Sequence, residues 1–291
     1  MSLEAYILCR KSAKSDAIRD AAIPLPEGVT QCRNISYGSH GENSLLDVYF
    51  PEGTAEPLPT IVSVHGGGYV YGSKEIYRRY CMDLARRGFA CVNFNYRLAP
   101  KWKFPTPLAD TNAVMHWIVK NAVRYHLDLD KIFLVGDSAG AQLASQYAAM
   151  NANAAYAEQF RLNMAPVHIR AVGLNCGMYD LAASGREKRK GIFLDYLGKK
   201  LPAEDPRFQV LENIGGNYPP AFITTSCHDF LRPCAEPMWR FLKEKGIETQ
   251  WKCYGTEDNE AVAHVFHVNI ALPEAKQCNE DTAAFFRMYL D

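Results

Sequence analysis

Two glycine-containing segments, each directly after a strand-like run, constrain the fold of this chain more than any other feature. Residues 136–140 read Gly-Asp-Ser-Ala-Gly, which fits the pattern G-x-S-x-G. They join the apolar run 131–135 to the alanine-rich, helix-favouring stretch 139–150. A serine at such a junction lies on a sharp turn with its hydroxyl exposed, because the flanking glycines let the backbone turn tightly. The sequence therefore predicts a nucleophile at Ser138.

The second segment is the run His65, Gly66, Gly67 and Gly68, which follows the strand-like run 60–64. A glycine run by itself is no more than a flexible loop, and five-residue serine patterns occur by chance. Together, and in this order, the two segments predict acyl-transfer chemistry. Backbone N–H groups there can hold the oxyanion that forms when a serine attacks a carbonyl. The predicted oxyanion hole consists of Gly66, Gly67, Gly68 and Ala139.

Strand-like and helix-like segments alternate from about residue 45 to the C-terminus. Short apolar strands that alternate with helices are typical of the α/β class, in which a mainly parallel sheet is covered by helices on both faces. The run 45–50 alternates more strongly between apolar and polar residues. We therefore expect it to belong to an antiparallel edge of the sheet.

Two segments, approximately 1–35 and 181–218, fit this alternation poorly. The second lies between two predicted strands and contains a basic run at residues 186–190. Long insertions in compact domains are often functional, and this one is expected near the carboxyl ends of the strands, where open α/β sheets bind ligands. Both segments are predicted to form a cap over Ser138. The alternative is a surface excursion that does not contact substrate.

The composition argues against several classes of partner. Lys plus Arg and Asp plus Glu both number 32, so nothing indicates nucleic acid or an anionic membrane as the main partner. The sequence contains no run of about 18 apolar residues, so no integral membrane segment is expected. The nine cysteines are scattered, without a C-x-x-C pair or the spacing of metal ligands. We therefore expect free thiols and no metal site. The N-terminal residues lack the pattern of a signal peptide, so we expect a cytoplasmic location.

A serine hydroxyl needs a base to take its proton and a third group to orient that base. In a sheet of this kind the chain order is serine, acid, histidine. Asp229 directly follows the strand-like run 221–227, and His264 lies in a loop after the run 249–254. Ser138, Asp229 and His264 are therefore the predicted catalytic triad.

Rival residues exist for both the acid and the base. Asp180 also follows a strand-like run, and His267 is a second histidine at the end of the same loop as His264. We expect at most one of the two histidines to face Ser138. Further polar residues lie beside the predicted acid or within the loop of the histidine: His228, Glu257, Asp258 and Glu260.

These segments resemble the hormone-sensitive-lipase-like branch of the α/β-hydrolases, which are mostly microbial carboxylesterases and acetyl esterases. The resemblance runs from about residue 45 to the C-terminus and rests on residues 65–68, 96–100, 104–105, 110 and 136–140. The histidine segment departs from it, because Val265 stands where the family usually has glycine. The resemblance implies an α/β-hydrolase fold with a small cap, and acyl pockets for short or medium chains.

The sequence thus predicts a single α/β-hydrolase domain over residues 1–291. Its predicted function is that of a cofactor-independent serine carboxylesterase acting on a small-molecule ester. An amidase or peptidase would use the same triad. A binding protein on an inactive hydrolase fold is expected to lack part of the machinery, whereas Ser138, Asp229 and His264 are all present. An exposed edge strand would allow pairing into a homodimer, although nothing in the sequence requires it.

Overall fold

A computed structural model describes residues 1–182, 190–202 and 204–291 of the chain. Its centre is an eight-stranded sheet in the order β1-β2-β4-β3-β5-β6-β7-β8. The strands β1 and β2 pair antiparallel, as do β2 and β4, and the remaining neighbours are parallel. The strands are β1 (Val29–Ser36), β2 (Leu45–Pro51), β3 (Leu58–Val64), β4 (Ala90–Phe94), β5 (Leu127–Asp137), β6 (Ile169–Asn175), β7 (Ala221–Ser226) and β8 (Thr249–Tyr254).

Helices cover both faces of this sheet, as predicted. The helices described are α1 (Leu3–Ala22), α2 (Arg78–Ala85), α3 (Thr106–Asn121), α4 (Ala139–Ala152), α5 (Ala154–Glu158), α6 (Gly191–Leu197), α7 (Arg232–Glu244) and α8 (Pro273–Arg287). Within these ranges no helix combines the length and the apolar content that crossing a bilayer requires.

The central strands are buried on both faces because their side chains alternate between two apolar layers. Leu134 of β5 belongs to the larger core cluster, which includes residues of α3 and α4. Its neighbour Phe133 belongs to the second cluster, with Leu84 of α2 and Phe286 of α8. Since successive strand residues point to opposite faces, a strand covered on both sides is apolar throughout. This is why the run 131–135 contains no alternating polar residues.

The edge of the sheet differs from the prediction. The strand β2 is antiparallel as expected, but it is not an edge, because β1 lies outside it. The outer strand β1 comes from the N-terminal segment, approximately 1–35, that is predicted to be part of the cap. Its residues are mostly polar and only partly buried, as is common for an edge strand, and the pairing is irregular between Cys32 and Ile35. A polar edge strand lacks the apolar pattern by which the inner strands are recognised.

Each of the two segments predicted as a cap contributes a helix above the carboxyl ends of the strands, α1 from the first and α6 from the second. The helices α1 and α6 lie against each other, and the Ser2 N–H donates to the Asp195 carboxylate at 2.7 Å. Phe208 and Ile214, from the later part of the second segment, are buried in the main core instead. Most of the basic run, residues 186–189, lies outside the described residues.

The turn between β5 and α4 depends on the two glycines that flank Ser138. Ser138 has a φ of 52°. A Cβ on Gly136 would overlap the Gly140 carbonyl, and a Cβ on Gly140 would overlap the Val64 carbonyl at the end of β3. The first turn of α4 therefore packs directly on the backbone of the sheet, which leaves no room for a side chain.

We predict that Gly140→Ala destabilises the protein by at least about 2 kcal/mol or prevents it from folding, because the added methyl group meets backbone that cannot move independently. Chemical denaturation of the purified variant measures the loss. Gly216→Ala is the control, since a Cβ at Gly216 would have nothing within 4 Å, and we expect it to change stability by less than about 0.5 kcal/mol. Equal stabilities for the two variants would contradict this account of the turn.

Candidate active site

The structure brings Ser138, Asp229 and His264 together from three separate strand ends. Ser138 follows β5, Asp229 lies just after β7, and His264 lies in the loop between β8 and α8. The His264 Nε2 is 3.0 Å from the Ser138 Oγ, and the His264 Nδ1 is 2.6 Å from the Asp229 Oδ1. One imidazole thus connects the hydroxyl to the carboxylate, which is the arrangement that a serine nucleophile needs.

Asp229 is held as an ionised acceptor. Burial acts to raise the pKa of its carboxyl group, but hydrogen bonds from the His264 ring, the Leu231 N–H and the Thr225 hydroxyl outweigh this effect and lower it. The Thr225 Oγ is 2.8 Å from Oδ2, and the Leu231 nitrogen is 2.9 Å from Oδ1. An ionised carboxylate favours the tautomer with a proton on the His264 Nδ1 and a lone pair on the Nε2 that faces Ser138.

The rival acids lie elsewhere. Asp180 is exposed. A triad acid accepts a hydrogen bond from the His264 Nδ1, and that nitrogen is already paired with Asp229. Glu257 is exposed and pairs with Arg232 at 2.9 Å, while the His228 ring contacts the Glu257 carbonyl at 3.0 Å. Arg232, Glu257 and His228 thus form a cluster beside the loop of His264. They are not part of the hydrogen-bonded series that ends at Ser138.

His267 is buried beneath the loop. Its ring packs edge-on against Tyr80, with the ring centroids 5.0 Å apart, and neither ring nitrogen has a hydrogen-bond partner among the described residues. Burial, reinforced by the positive charge of Arg19 and by His264 when it is protonated, lowers the pKa of His267 to about 3. This ring is therefore neutral at physiological pH.

The predicted oxyanion hole needs one correction, at Gly66. The Gly66 N–H donates to the Tyr77 hydroxyl at 3.0 Å, so it is not available to an oxyanion. Within the described ranges, the N–H groups of Gly67, Gly68 and Ala139 donate to no protein acceptor, and all three residues line the same pocket as Ser138. The glycine run itself does not indicate that the Gly66 N–H differs from those of Gly67 and Gly68, because its partner Tyr77 lies eleven residues away in the chain.

A cavity of about 770 Å³ lies over Ser138 and His264 and is closed in part by α1 and α6. Two apolar side chains lie next to the glycine run: a Cβ on Gly68 would be 3.1 Å from the Leu8 Cδ2 and 3.4 Å from the Ile192 Cδ1. Sequence reasoning did not identify either side chain, because no local pattern indicates which cap residues contact the glycines. Further cavity-lining residues of α1 are Glu4, Ile7, Lys11, Ser12, Ser15, Asp16 and Arg19.

One group of side chains near the site has the ligand types of a metal centre. Cys176, Asp229 and His264 place a sulfur, an oxygen and a nitrogen within 4.8 Å of one another. The Asp229 and His264 atoms that face each other already form a hydrogen bond, and burial raises the pKa of the Cys176 thiol, whereas metals bind the thiolate. The geometry therefore suits proton transfer better than metal binding.

Residues 61–268 match the family model described as alpha/beta hydrolase fold. The chain belongs to this family, and the predicted α/β-hydrolase fold is confirmed. An esterase from the bacterial hormone-sensitive lipase family has a similar fold, with a TM-score of 0.74 at 23% identity.

Several esterases align with most of the chain. The versiconal hemiacetal acetate esterase of Dothistroma septosporum is 29% identical over 90% of this chain and 81% of that protein. An acetyl esterase of Salmonella agona is 27% identical over 97% and 84%, respectively. The crystal structure of esterase B from Lactobacillus rhamnosis superposes with a TM-score of 0.89 at 24% identity, covering 98% of this chain and 93% of that one. At the level of enzyme class, the prediction of a carboxylic ester hydrolase is confirmed.

We predict that the free energy of unfolding decreases as the pH falls below about 6.5. Burial lowers the pKa of His267 to about 3 and that of His65 to about 4, so the unfolded chain binds protons that the folded chain does not. Each histidine then contributes a loss on the order of 1 kcal/mol per pH unit between its unfolded and folded pKa values. In denaturation curves at pH 4 to 7, His267→Gln should show a shallower dependence than the wild type. His40→Gln, at an exposed site, is the control, and parallel curves for wild type and His267→Gln would contradict the assignment.

Proposed function

We propose that this protein is a serine carboxylesterase that hydrolyses short- to medium-chain acyl esters through a covalent acyl-enzyme. The observation that supports this most strongly is the hydrogen-bonded series Ser138, His264 and Asp229 at the cavity. The names of the aligned relatives, an acetyl esterase and an acetate esterase, support a short acyl group.

In the first step the Ser138 Oγ attacks the ester carbonyl while the His264 Nε2 takes the hydroxyl proton. The distance of 3.0 Å between these atoms is within the range for direct proton transfer. Asp229 stabilises the imidazolium that forms, because its carboxylate lies against the Nδ1–H. The carbonyl double bond becomes a single bond, and its electron pair moves onto the oxygen.

We assign the stabilisation of that oxyanion to the N–H groups of Gly67, Gly68 and Ala139. They come from the two sides of the cavity floor, the glycine run after β3 and the first residue of α4. Losing one donor of this kind typically costs about 3 kcal/mol of transition-state stabilisation. Such donors act at the moment when charge develops, since their positions are fixed by the backbone.

The second half of the cycle releases both products. The His264 imidazolium protonates the leaving alcohol as the bond from carbon to that oxygen breaks, which leaves the acyl group on Ser138. A water molecule then replaces the alcohol, gives a proton to the His264 Nε2, and attacks the acyl carbon. Return of that proton to the Ser138 Oγ releases the carboxylic acid and restores the resting site.

In our proposal, apolar side chains of the cap limit the length of the acyl group. Leu8 of α1 and Ile192 of α6 lie directly over Gly68, one of the assigned oxyanion donors. An acyl chain bound on this side therefore meets apolar walls within a few atoms of the carbonyl. We assign the cap function to α1 and α6 within a single domain, while the cytoplasmic location and a homodimer through the exposed edge at β1 stay predictions.

We predict that Ser138→Ala abolishes nearly all esterase activity and leaves the fold intact. Loss of a triad member commonly lowers kcat by several orders of magnitude. Turnover of p-nitrophenyl acetate and the circular dichroism spectrum measure the two effects. A variant free of contaminating esterase that retained a tenth of the wild-type activity would show that Ser138 is not the nucleophile.

His264→Ala and His267→Ala should differ sharply. We expect His264→Ala to lose nearly all turnover, because its Nε2 faces Ser138. His267→Ala should keep at least a tenth of the turnover, because His267 is buried beneath the loop. Both variants are first shown to be folded. If His267→Ala were the inactive one, the base would have been assigned to the wrong histidine.

Across p-nitrophenyl esters of graded acyl length, we expect kcat/KM to be highest at about two to six carbons and low at twelve or more. Leu8→Ala and Ile192→Ala should shift the optimum to longer chains, because each removes part of the wall over Gly68. A p-nitroanilide of the preferred acid is measured in parallel to test the amidase alternative. A maximum at long chains, or faster hydrolysis of the anilide, would contradict the proposal.

A further inference from the structure

A buried carboxyl group next to the nucleophile has no role in the steps above. Asp137 precedes Ser138 in the chain, and its side chain is fully buried beneath the glycine run. The Tyr77 hydroxyl donates to the Asp137 Oδ2 at 2.7 Å and accepts from the Gly66 N–H at 3.0 Å. These three groups form a hydrogen-bonded series, which we name the Asp137–Tyr77–Gly66 bridge.

The bridge joins the two halves of the assigned oxyanion hole. Asp137 is two residues from Ala139, on the same tight turn as Ser138. Gly66 directly precedes the other two donors, Gly67 and Gly68. Parallel pairing of β3 with β5 brings these backbone segments side by side as far as Val64 and Gly136, and Gly140 packs on the Val64 and His65 carbonyls. Beyond these contacts, the bridge connects the Asp137 carboxylate to the Gly66 N–H, so it acts on the position of the glycine run relative to Ala139.

The packing around Gly66 leaves it little freedom. A Cβ at this position would overlap the Asp137 carboxylate. The Gly66 carbonyl contacts the His65 Nδ1 at 2.8 Å, and the His65 ring stacks on Tyr96 with the centroids 4.0 Å apart. Both peptide groups of Gly66 are thus fixed by buried side chains, and the chain then turns through Gly67 and Gly68, which have φ values of 108° and 59°.

We propose that Asp137 and Tyr77 are positioning residues for the oxyanion hole: by holding the Gly66 N–H, they aim the N–H groups of Gly67 and Gly68 at the point that the Ala139 N–H also faces. This inference rests on the proposed esterase function. Neither side chain touches the substrate in this account. Their contribution is to the height of the barrier and not to the affinity for the ester, because the donors they align act mainly on the charge that develops in the transition state.

Burial dominates the electrostatic environment of Asp137. Burial raises the pKa of Asp137 to about 7, although the Tyr77 hydroxyl and the Gly66 N–H act to lower it. The other charged groups that influence it are Asp16 and Arg19 of α1. The charge of Asp137 in turn contributes to raising the pKa values of nearby tyrosines, most directly that of Tyr77. The unfolded chain ionises this carboxyl group near pH 4, whereas the folded chain keeps its proton up to about pH 7. The free energy of unfolding therefore falls across this interval.

Tyr77→Phe tests the bridge because it removes only the hydroxyl that connects Asp137 to Gly66. We expect kcat for p-nitrophenyl acetate to fall at least tenfold, with KM within threefold of the wild-type value. A trifluoromethyl ketone, which forms an oxyanion adduct with serine, should bind more weakly by a factor similar to the loss of kcat/KM. Tyr80→Phe is the matched control: it removes another buried tyrosine hydroxyl from the same helical segment, one that makes no hydrogen bond to the glycine run, and should retain kcat within twofold.

A second variant separates positioning from general packing. Asp137→Asn keeps the shape of the side chain but weakens the hydrogen bond from Tyr77, and it should also lower kcat more than KM. Since the pKa of Asp137 is raised to about 7 in the folded protein, the unfolding free energy of Asp137→Asn relative to wild type should increase from about pH 4 to about pH 7 and stay constant above that. A variant that gains relative stability while it loses kcat cannot be explained by a damaged fold. This variant also provides the test if Tyr77→Phe does not fold.

Nuclear magnetic resonance of selectively ¹⁵N-glycine-labelled protein makes the test independent of activity. In Tyr77→Phe the amide resonances of Gly66, Gly67 and Gly68 should move, and in Tyr80→Phe they should not. The proposal is overturned if Tyr77→Phe keeps kcat within twofold, if Tyr80→Phe loses as much, or if kcat falls without weaker binding of the ketone. If the wild type hydrolysed no ester, the proposed function would fail, whereas the glycine resonances would still show whether the bridge holds the run.

Discussion

The turn at Ser138 is the constraint on which the rest of the site depends. A non-glycine residue with a φ of 52° is strained by about 1–3 kcal/mol and persists only where the surrounding structure enforces it. Here β5 is held between β3 and β6, the Ser138 N–H donates to the Asn175 carbonyl at 2.9 Å, and Gly140 packs on the backbone of β3. The turn directs the Ser138 hydroxyl at His264 and, in our proposal, the Ala139 N–H at the oxyanion.

Three titratable groups near Ser138 have different pKa shifts because their surroundings differ. Asp229 has a lowered pKa, since several donors surround it. Asp137, with burial as the dominant influence, has a pKa raised to about 7. His267, without a hydrogen-bond partner among the described residues, has a pKa lowered to about 3. Burial opposes charge in all three, and the hydrogen-bond partners together with nearby charges decide which group is ionised at neutral pH.

Local patterns in the sequence were enough to predict most of the strands and the α/β class, because buried strands are apolar. The chain order and the strand ends also selected Ser138, Asp229 and His264, whose side chains lie within hydrogen-bond distance of one another in series. The polar edge strand β1 was missed because its pattern is weak. Contacts between distant segments were also missed: Tyr77 with Gly66, and Leu8 and Ile192 with Gly68. The departure at Val265 has a structural counterpart, since its φ of 63° lies in the left-handed region that favours glycine, the usual family residue.

The most direct test of the central claim is active-site titration with diethyl p-nitrophenyl phosphate, followed by intact-mass measurement and peptide mapping. The account predicts that the native protein releases one p-nitrophenol per chain, gains one diethylphosphoryl group, and bears it on Ser138, whereas heat-denatured protein gains none. No adduct on the native protein, or an adduct on a different residue, would contradict the claim that the fold places and activates Ser138 as the nucleophile.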